Sequence, residues 1–187
     1  MNSIWKPNVT VAALIEREGR FLLVEEETDA GLRFNQPAGH LDEGESLVAA
    51  CTRETLEETA WGFTPTALVG IYQWPRPRPA AGPPQGGAAG RFEGSEQSSP
   101  PSAGRGAGGW PSENITYLRF AFSGELGGHE EDRVLDDGIL RAVWMTPDEI
   151  RANADRHRSP LVWQSVTDYL AGRRFPLDLV RHYDNHG

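Results

Sequence analysis

The sequence predicts an α/β fold. Three observations carry that expectation. Short runs rich in β-branched and aromatic residues recur along the chain, two segments repeat apolar residues at helical spacing, and turn signals separate them. Residues 8–15 (NVTVAALI) open with Val9, Thr10 and Val11 and read as a strand. Glu18-Gly19 is a turn signal, and residues 20–25 (RFLLVE) read as the returning strand, so the two are expected to pair as a hairpin. Residues 34–37 give a short extended piece leading into Gly39. Residues 45–59 have helical character, with Leu47, Val48, Cys51 and Thr55 along one side. Ser46 is placed to cap that helix, and Glu43 and Glu45 lie near the positive end of its dipole. Further strands are expected over 67–74 (ALVGIYQW), 115–122 (ITYLRFAF) and, more briefly, 142–145 (AVWM). Thr146 as cap and Pro147 at the first position start a helix over 147–152. Residues 161–170 read as a last helix, with Pro160 near its start.

The composition changes sharply in the middle of the chain. Residues 75–113 are rich in proline, glycine and serine, with Phe92 and Trp110 almost their only large apolar side chains. Such a segment buries too little surface to offset its chain entropy and is expected to be disordered. It interrupts a domain rather than separating two, so residues 1–74 and 114–187 are read as one domain around an insertion. Closing a long loop costs only about 0.6 kcal/mol more per doubling of its length, so the insertion is tolerable if the flanking strands pair. An inert linker is favoured over a binding role for its Arg-Pro start.

The net charge of −9, from 18 basic and 27 acidic residues, argues against non-specific binding to nucleic acid or to an anionic membrane. A small anionic substrate stays open, because a metal ion inverts the local field. Cys51 is the only cysteine, which excludes an internal disulfide and fits a reducing compartment. The first twenty residues do not read as a secretion signal, and no stretch is long and apolar enough to span a bilayer. A cytoplasmic protein, monomeric or a small homo-oligomer, is expected.

Residues 39–61 (GHLDEGESLVAACTRETLEETAW) hold the chemistry. Glu54, Glu57 and Glu58 fall at i, i+3 and i+4, within about a third of a helical turn of one another. Like charges at that spacing cost a few tenths of a kcal/mol, and carboxylates near a helix C-terminus oppose the dipole. From charge alone an exposed acidic face is the favoured reading. The context reverses it. Carboxylates are hard ligands suited to Mg²⁺, which bridges a few of them to substrate phosphates. Gly39 and Gly44 in the preceding loop allow close backbone approach. Arg53 is placed to pair with Glu45 about two turns earlier and steady the cluster.

Gly39, five residues, Glu45, seven residues and then Arg53-Glu54-Thr55-Leu56-Glu57-Glu58-Thr59-Ala60-Trp61 resembles the Nudix box, G-x5-E-x7-R-E-U-x-E-E-x-G-U, with U bulky and apolar. All its charged positions match. Thr55 replaces an aliphatic residue. Ala60 stands where glycine is usual, at a cost of ~1 kcal/mol if the position is left-handed, unless Gly62 takes over the cap. KPNVTVAALI, FNQPAGHLDEGE, IYQW, YLRFAF and RSPLV, in that order, resemble the NudJ-type branch of bacterial Nudix phosphatases over nearly the whole chain outside the insertion. The resemblance implies an α/β/α sandwich with a mixed β-sheet. It also implies Mg²⁺-dependent hydrolysis of phosphoanhydrides, with Mn²⁺ as an alternative ion. The implied substrates are nucleoside di- and triphosphates and the pyrophosphate of the thiamine pyrimidine precursor.

On that reading Glu57 and Glu58 hold the metal, Glu54 is a further ligand or the base, the Gly39 carbonyl completes the site, and Arg53 with Glu45 orients the carboxylates. Glu125, Glu130 and Glu131 are other candidates for the base. Arg119 meets a substrate phosphate or forms a surface ion pair. Asn35 and Gln36 contact substrate or cap the loop by hydrogen bonds. Trp74 and Tyr117 are expected in the core rather than stacked on a base, His40 is expected to be a loop residue rather than a phosphate contact, and Cys51 to pack rather than act as a nucleophile. The alternatives are a Nudix hydrolase of nucleoside diphosphate conjugates or dinucleoside polyphosphates, a nucleotide-sensing module without turnover, and an interaction protein working through the insertion.

Overall fold

Eight strands, numbered in chain order, form two sheets. In the first sheet β5 (Ala38–His40), β1 (Asn8–Leu14), β7 (Ile115–His129) and β6 (Trp61–Arg76) lie side by side in that order. The sheet is mixed: β1 runs parallel to β7, while β5 and β6 are antiparallel to their neighbours. In the second, β3 (Arg20–Thr28) is flanked by β2 (Glu16–Arg17) and β4 (Gly31–Asn35) on one edge and by β8 (Ile139–Met145) on the other, all antiparallel. This computed structural model describes residues 4–76 and 115–183.

Helices cover both faces. Alternate residues of β1 point to opposite sides, as the two-residue period of a strand requires. Val11, Ala13 and Ile15 pack with Ala50 and Cys51 of α1 (Leu47–Thr59). Ala12 and Leu14 pack with Ile150 of α2 (Pro147–Ala152) and with Val162 and Val166 of α3 (Leu161–Leu170). This is the expected α/β/α sandwich. The helix caps also follow the sequence. Ser46 accepts a hydrogen bond from the Ala49 N–H, so α1 starts two residues later than the spacing suggested. Thr146 and Glu149 form a reciprocal capping box on α2.

Two expectations need correction. Residues 8–15 and 20–25 do not pair as a hairpin. The Glu18-Gly19 turn is there, with φ of 54° and 76°, but it joins the two-residue β2 to β3. β1 has left for the other sheet, because a strand buried on both faces, as Val11 to Ile15 are, belongs between neighbours in a covered sheet. The strands around the insertion are also longer than expected. β6 runs through Pro75 and Arg76, which pair with Thr116 and Ile115. Proline is tolerated there because β6 is an edge strand. The flanks of the insertion therefore pair as its tolerance requires; the expected disorder over 75–113 lies otherwise outside the described residues.

Candidate active site

α1 brings its acidic face against β5. Glu54 and Glu58, one turn apart, are buried, and Glu57 between them is half-buried. Gly39 makes this possible. A Cβ at that position would lie 2.0 Å from the Glu54 carboxyl carbon, so glycine is required for close approach and not for an unusual φ. The Ala38 N–H donates to Glu58 Oε2 at 2.8 Å. Thr55, in place of an aliphatic residue, is fully buried and satisfies its hydroxyl on the Cys51 carbonyl at 2.7 Å. Cys51 packs as expected, and burial pushes its thiol up. Ala60 itself takes the left-handed cap, with φ 59° and its N–H on the Leu56 carbonyl. Gly62 does not replace it.

Arg53 ties the cluster together. Its Nε and Nη2 donate to the two oxygens of Glu45, at 3.2 and 2.6 Å. Nη1 reaches Glu54 at 2.9 Å and Glu57 at 3.0 Å, and Nη2 also reaches the carbonyl of His40, the last residue of β5. Glu45, then Glu54 and Glu57, hold the guanidinium firmly charged, and Arg53 in turn keeps Glu45 below the usual carboxylate range. The acids deeper in the site behave oppositely. Burial pushes Glu54 up, against the pull of Arg53 and with the charges of Glu57 and Asp136 adding. Burial pushes Glu58 up to about 8; the Ala38 N–H opposes this, and Glu54, Glu26 and Asp136 reinforce it.

Asp136 was not singled out in the sequence. The loop between β7 and β8 lies across the C-terminal end of α1, with the Glu130 N–H on the Ala60 carbonyl and the Asp136 N–H on the Glu57 carbonyl. Glu130 is turned to Arg133 at 2.9 Å, and Glu125 sits exposed on β7 opposite Thr64. The charge of Asp136, in this loop, acts on both Glu54 and Glu58.

A cleft enclosing about 570 Å³, with its open mouth, adjoins Gly39. Arg119 lines it, 8% exposed, with Nη1 donating to Asn35 Oδ1 at 3.3 Å and Nε buried without a hydrogen bond. Burial pulls Arg119 down to about 10, against the charges of Glu26 and Glu58. Trp74 and Tyr117 are half-buried and stack on each other at 5.8 Å on the cleft wall, instead of filling the core. Gln36 goes elsewhere: it is 1% exposed, donates to the Val162 carbonyl at 2.8 Å, and does not line the cleft.

The donor set fits a hard divalent cation, since it is all carboxylate and carbonyl oxygen on a rigid helix and strand. Among the described residues no three acidic, histidine or cysteine side chains already close around one point; Glu54 and Glu57 are turned to Arg53.

A NUDIX domain family model matches residues 5–164. The chain belongs to the Nudix family. It is a Nudix hydrolase, an enzyme of pyrophosphate bonds. It is 31% identical to Phosphatase NudJ of Escherichia coli K12 over 97% of this chain and 95% of that protein. It is also similar to a Nudix hydrolase of known structure from Nitrosomonas europaea, at 44% identity and a TM-score of 0.75, over 96% of this chain and 99% of the other. A MutT Nudix hydrolase from Burkholderia pseudomallei shares the fold at 16% identity and a TM-score of 0.57, over 88% of this chain and 98% of the other.

Proposed function

We propose that this Nudix hydrolase splits phosphoanhydride bonds in nucleoside tri- and diphosphates and related small pyrophosphates, the thiamine pyrimidine precursor pyrophosphate among them, and releases orthophosphate. The observation that carries the proposal is the seating of Glu54 against Gly39 and of Glu58 on the Ala38 N–H, with Arg53 holding Glu57 beside them, next to a cleft lined by arginine. The similarity to Phosphatase NudJ supports the orthophosphate product.

In this reading Glu57 and Glu58 would hold Mg²⁺, or Mn²⁺ in its place, with the Gly39 carbonyl completing the set and Glu54 serving as a further ligand or as the base. A divalent ion bound there neutralises phosphate charge and lowers the pKa of water. Glu54, or Asp136 from the loop opposite, takes the proton of the attacking water. Water oxygen bonds to the terminal phosphorus as the bridging P–O bond breaks, and the shortened nucleotide leaves. Arg53, fixed by Glu45, keeps Glu54 and Glu57 in register. Asn35 orients Arg119 toward the substrate phosphates. Among the described residues no helix is long and apolar enough to cross a membrane, and we place the protein in the cytoplasm.

A substrate panel with Mg²⁺, scored for released orthophosphate against pyrophosphate, tests the proposal. Orthophosphate from nucleoside triphosphates is expected. Pyrophosphate with a nucleoside monophosphate overturns it in favour of a different Nudix cleavage. Silence on triphosphates with turnover of a dinucleoside polyphosphate points to the alternative substrate class.

A further inference from the structure

RSPLV, residues 158–162, is a stretch that the box chemistry leaves without a role. The structure puts its first residue in the cleft. Among the described residues, three arginines, Arg76, Arg119 and Arg158, line that cleft against a single acid, Glu26, in a chain whose net charge is −9. A positive surface of this kind in an acidic protein marks a place for an anion. We propose that Arg158, positioned by Glu26, is a specificity-determining residue that binds the substrate phosphate not held by the acidic helix. This rests on the hydrolase reading above and names the group that reads the rest of the phosphate chain.

The backbone of Arg158 is pinned from both sides. Its N–H donates to the Phe34 carbonyl at 2.9 Å, and His157 forms a parallel bridge with the same Phe34. Arg156, two residues earlier, pairs with the buried Glu25 and lies 4.3 Å over the Phe34 ring. On the other side, Ser159 Oγ accepts the Leu161 N–H at 3.3 Å, and Gln36 donates to the Val162 carbonyl. With the segment's backbone already fixed, binding at this guanidinium has no backbone to order, which suits a recognition residue.

The side chain is steered without being consumed. Arg158 meets Glu26 through Nε, at 3.7 Å from Oε1, which is an ion pair beyond hydrogen-bonding length. The Nη edge, the one that grips phosphate in pairs, is not used in this contact. In the same cleft Arg119 is buried, and its Nε has no hydrogen bond. The charges of Arg119 and Arg158 act against each other in this cleft. A bound phosphate would relieve that repulsion.

The experiment uses the full chain with Arg158→Ala, Arg158→Lys and, as a control, Arg151→Ala, whose partner is the exposed Asp148. KM and kcat are measured on the best nucleotide of the panel, with inorganic pyrophosphate as a competitive inhibitor. Arg158→Ala is expected to raise KM and the pyrophosphate inhibition constant together, about tenfold or more, with kcat within roughly threefold of the wild type. Arg158→Lys recovers part of the loss, and melting temperatures stay together. Unchanged KM overturns the proposal. So does a raised KM with unchanged pyrophosphate inhibition, which assigns Arg158 to the organic part of the substrate. So does an equal loss in both variants with lowered melting temperature, which makes it a structural pair. If the wild type turns over nothing, the hydrolase reading fails separately. Calorimetric titration of pyrophosphate into the wild type and Arg158→Ala then decides the Arg158 assignment by the same tenfold criterion.

Discussion

Glu25 and Glu58 are both buried glutamates, and the protein treats them in opposite ways. Glu25, 5% exposed, has an arginine on each oxygen: Arg141 at 2.8 Å on one, Arg156 on the other. The bond to Arg141 holds it below the usual carboxylate range, with burial opposing and Arg156 adding. Glu58, 9% exposed, has one backbone N–H and faces other acids, and it is pushed up to about 8. The first arrangement is what a charge needs in order to be buried at all. The second breaks that rule. A protein that can pair Glu25 on both oxygens but leaves Glu58 among like charges gives up stability at the site proposed above to take a cation. Such local violations collect at functional sites.

The comparison breaks most visibly in turnover. Glu57→Gln is expected to cut kcat by about a thousandfold while circular dichroism and melting stay close to wild type. Near-normal turnover in that variant would remove Glu57 from the ligand set. Glu25→Gln should do the reverse: a destabilisation of about 2 kcal/mol, read by urea unfolding, with kcat largely kept, since two arginines lose their partner away from the acidic helix.

The two glutamates also predict opposite pH dependence. Glu25 titrates lower in the folded state, so its contribution is present above its unfolded value near 4.5 and fades as pH falls through the folded pKa. The stability gap between wild type and Glu25→Gln should therefore close in acid. Glu58 titrates higher in the folded state. Its protonated form favours the fold, fully below about pH 4.5, and that contribution is lost as pH rises through about 8. In chelator, the wild type should lose melting temperature from pH 5 to pH 8.5, and Glu58→Gln should lose less. Parallel curves for the two proteins would show that Glu58 is not the titrating group.

What could be read in the sequence was what is close in the sequence. The box is a short-range pattern, so Gly39, Glu45 and the Arg53 cluster were legible through its resemblance to the Nudix box, and the caps at Ser46 and Thr146 from residue type and position. The Glu18-Gly19 turn was legible, but its partner strands were not, because β1 leaves the turn for a parallel neighbour more than a hundred residues on. The length of β6 was hidden by Pro65, Gly70 and three register shifts. The cleft was mostly hidden. Arg119 meets Asn35 only because β7 lies beside β1, and Glu26 meets Arg158 across 132 positions. The signal that was present was Glu25-Glu26 on a strand, whose alternation sends neighbouring acids to opposite faces. Asp136 left no such trace; it is placed by the loop's own hydrogen bonds to the end of α1.

The smallest expected effect concerns Ala60, which lies just past the cluster and also breaks a local rule. Its φ of 59° and ψ of 10° are left-handed, a region that costs an L-residue roughly 1–2 kcal/mol. Ala60→Gly removes that strain. It also adds freedom to the unfolded chain, about 0.4–1 kcal/mol against the fold, and gives up a methyl at a position only 3% exposed. With about 0.8 kcal/mol for the methyl, the balance lies within about 0.8 kcal/mol of zero, so a shift in melting temperature of no more than about three degrees is expected. Turnover should not change, because the cap bond from the Ala60 N–H to Leu56 and the Ala60 carbonyl that receives the Glu130 N–H are backbone groups that glycine keeps. If the variant melts lower, the buried methyl outweighs the strain, and alanine stands there for packing. If it melts higher but turns over more slowly, the strain at Ala60 belongs with Glu58: stability given up for the site.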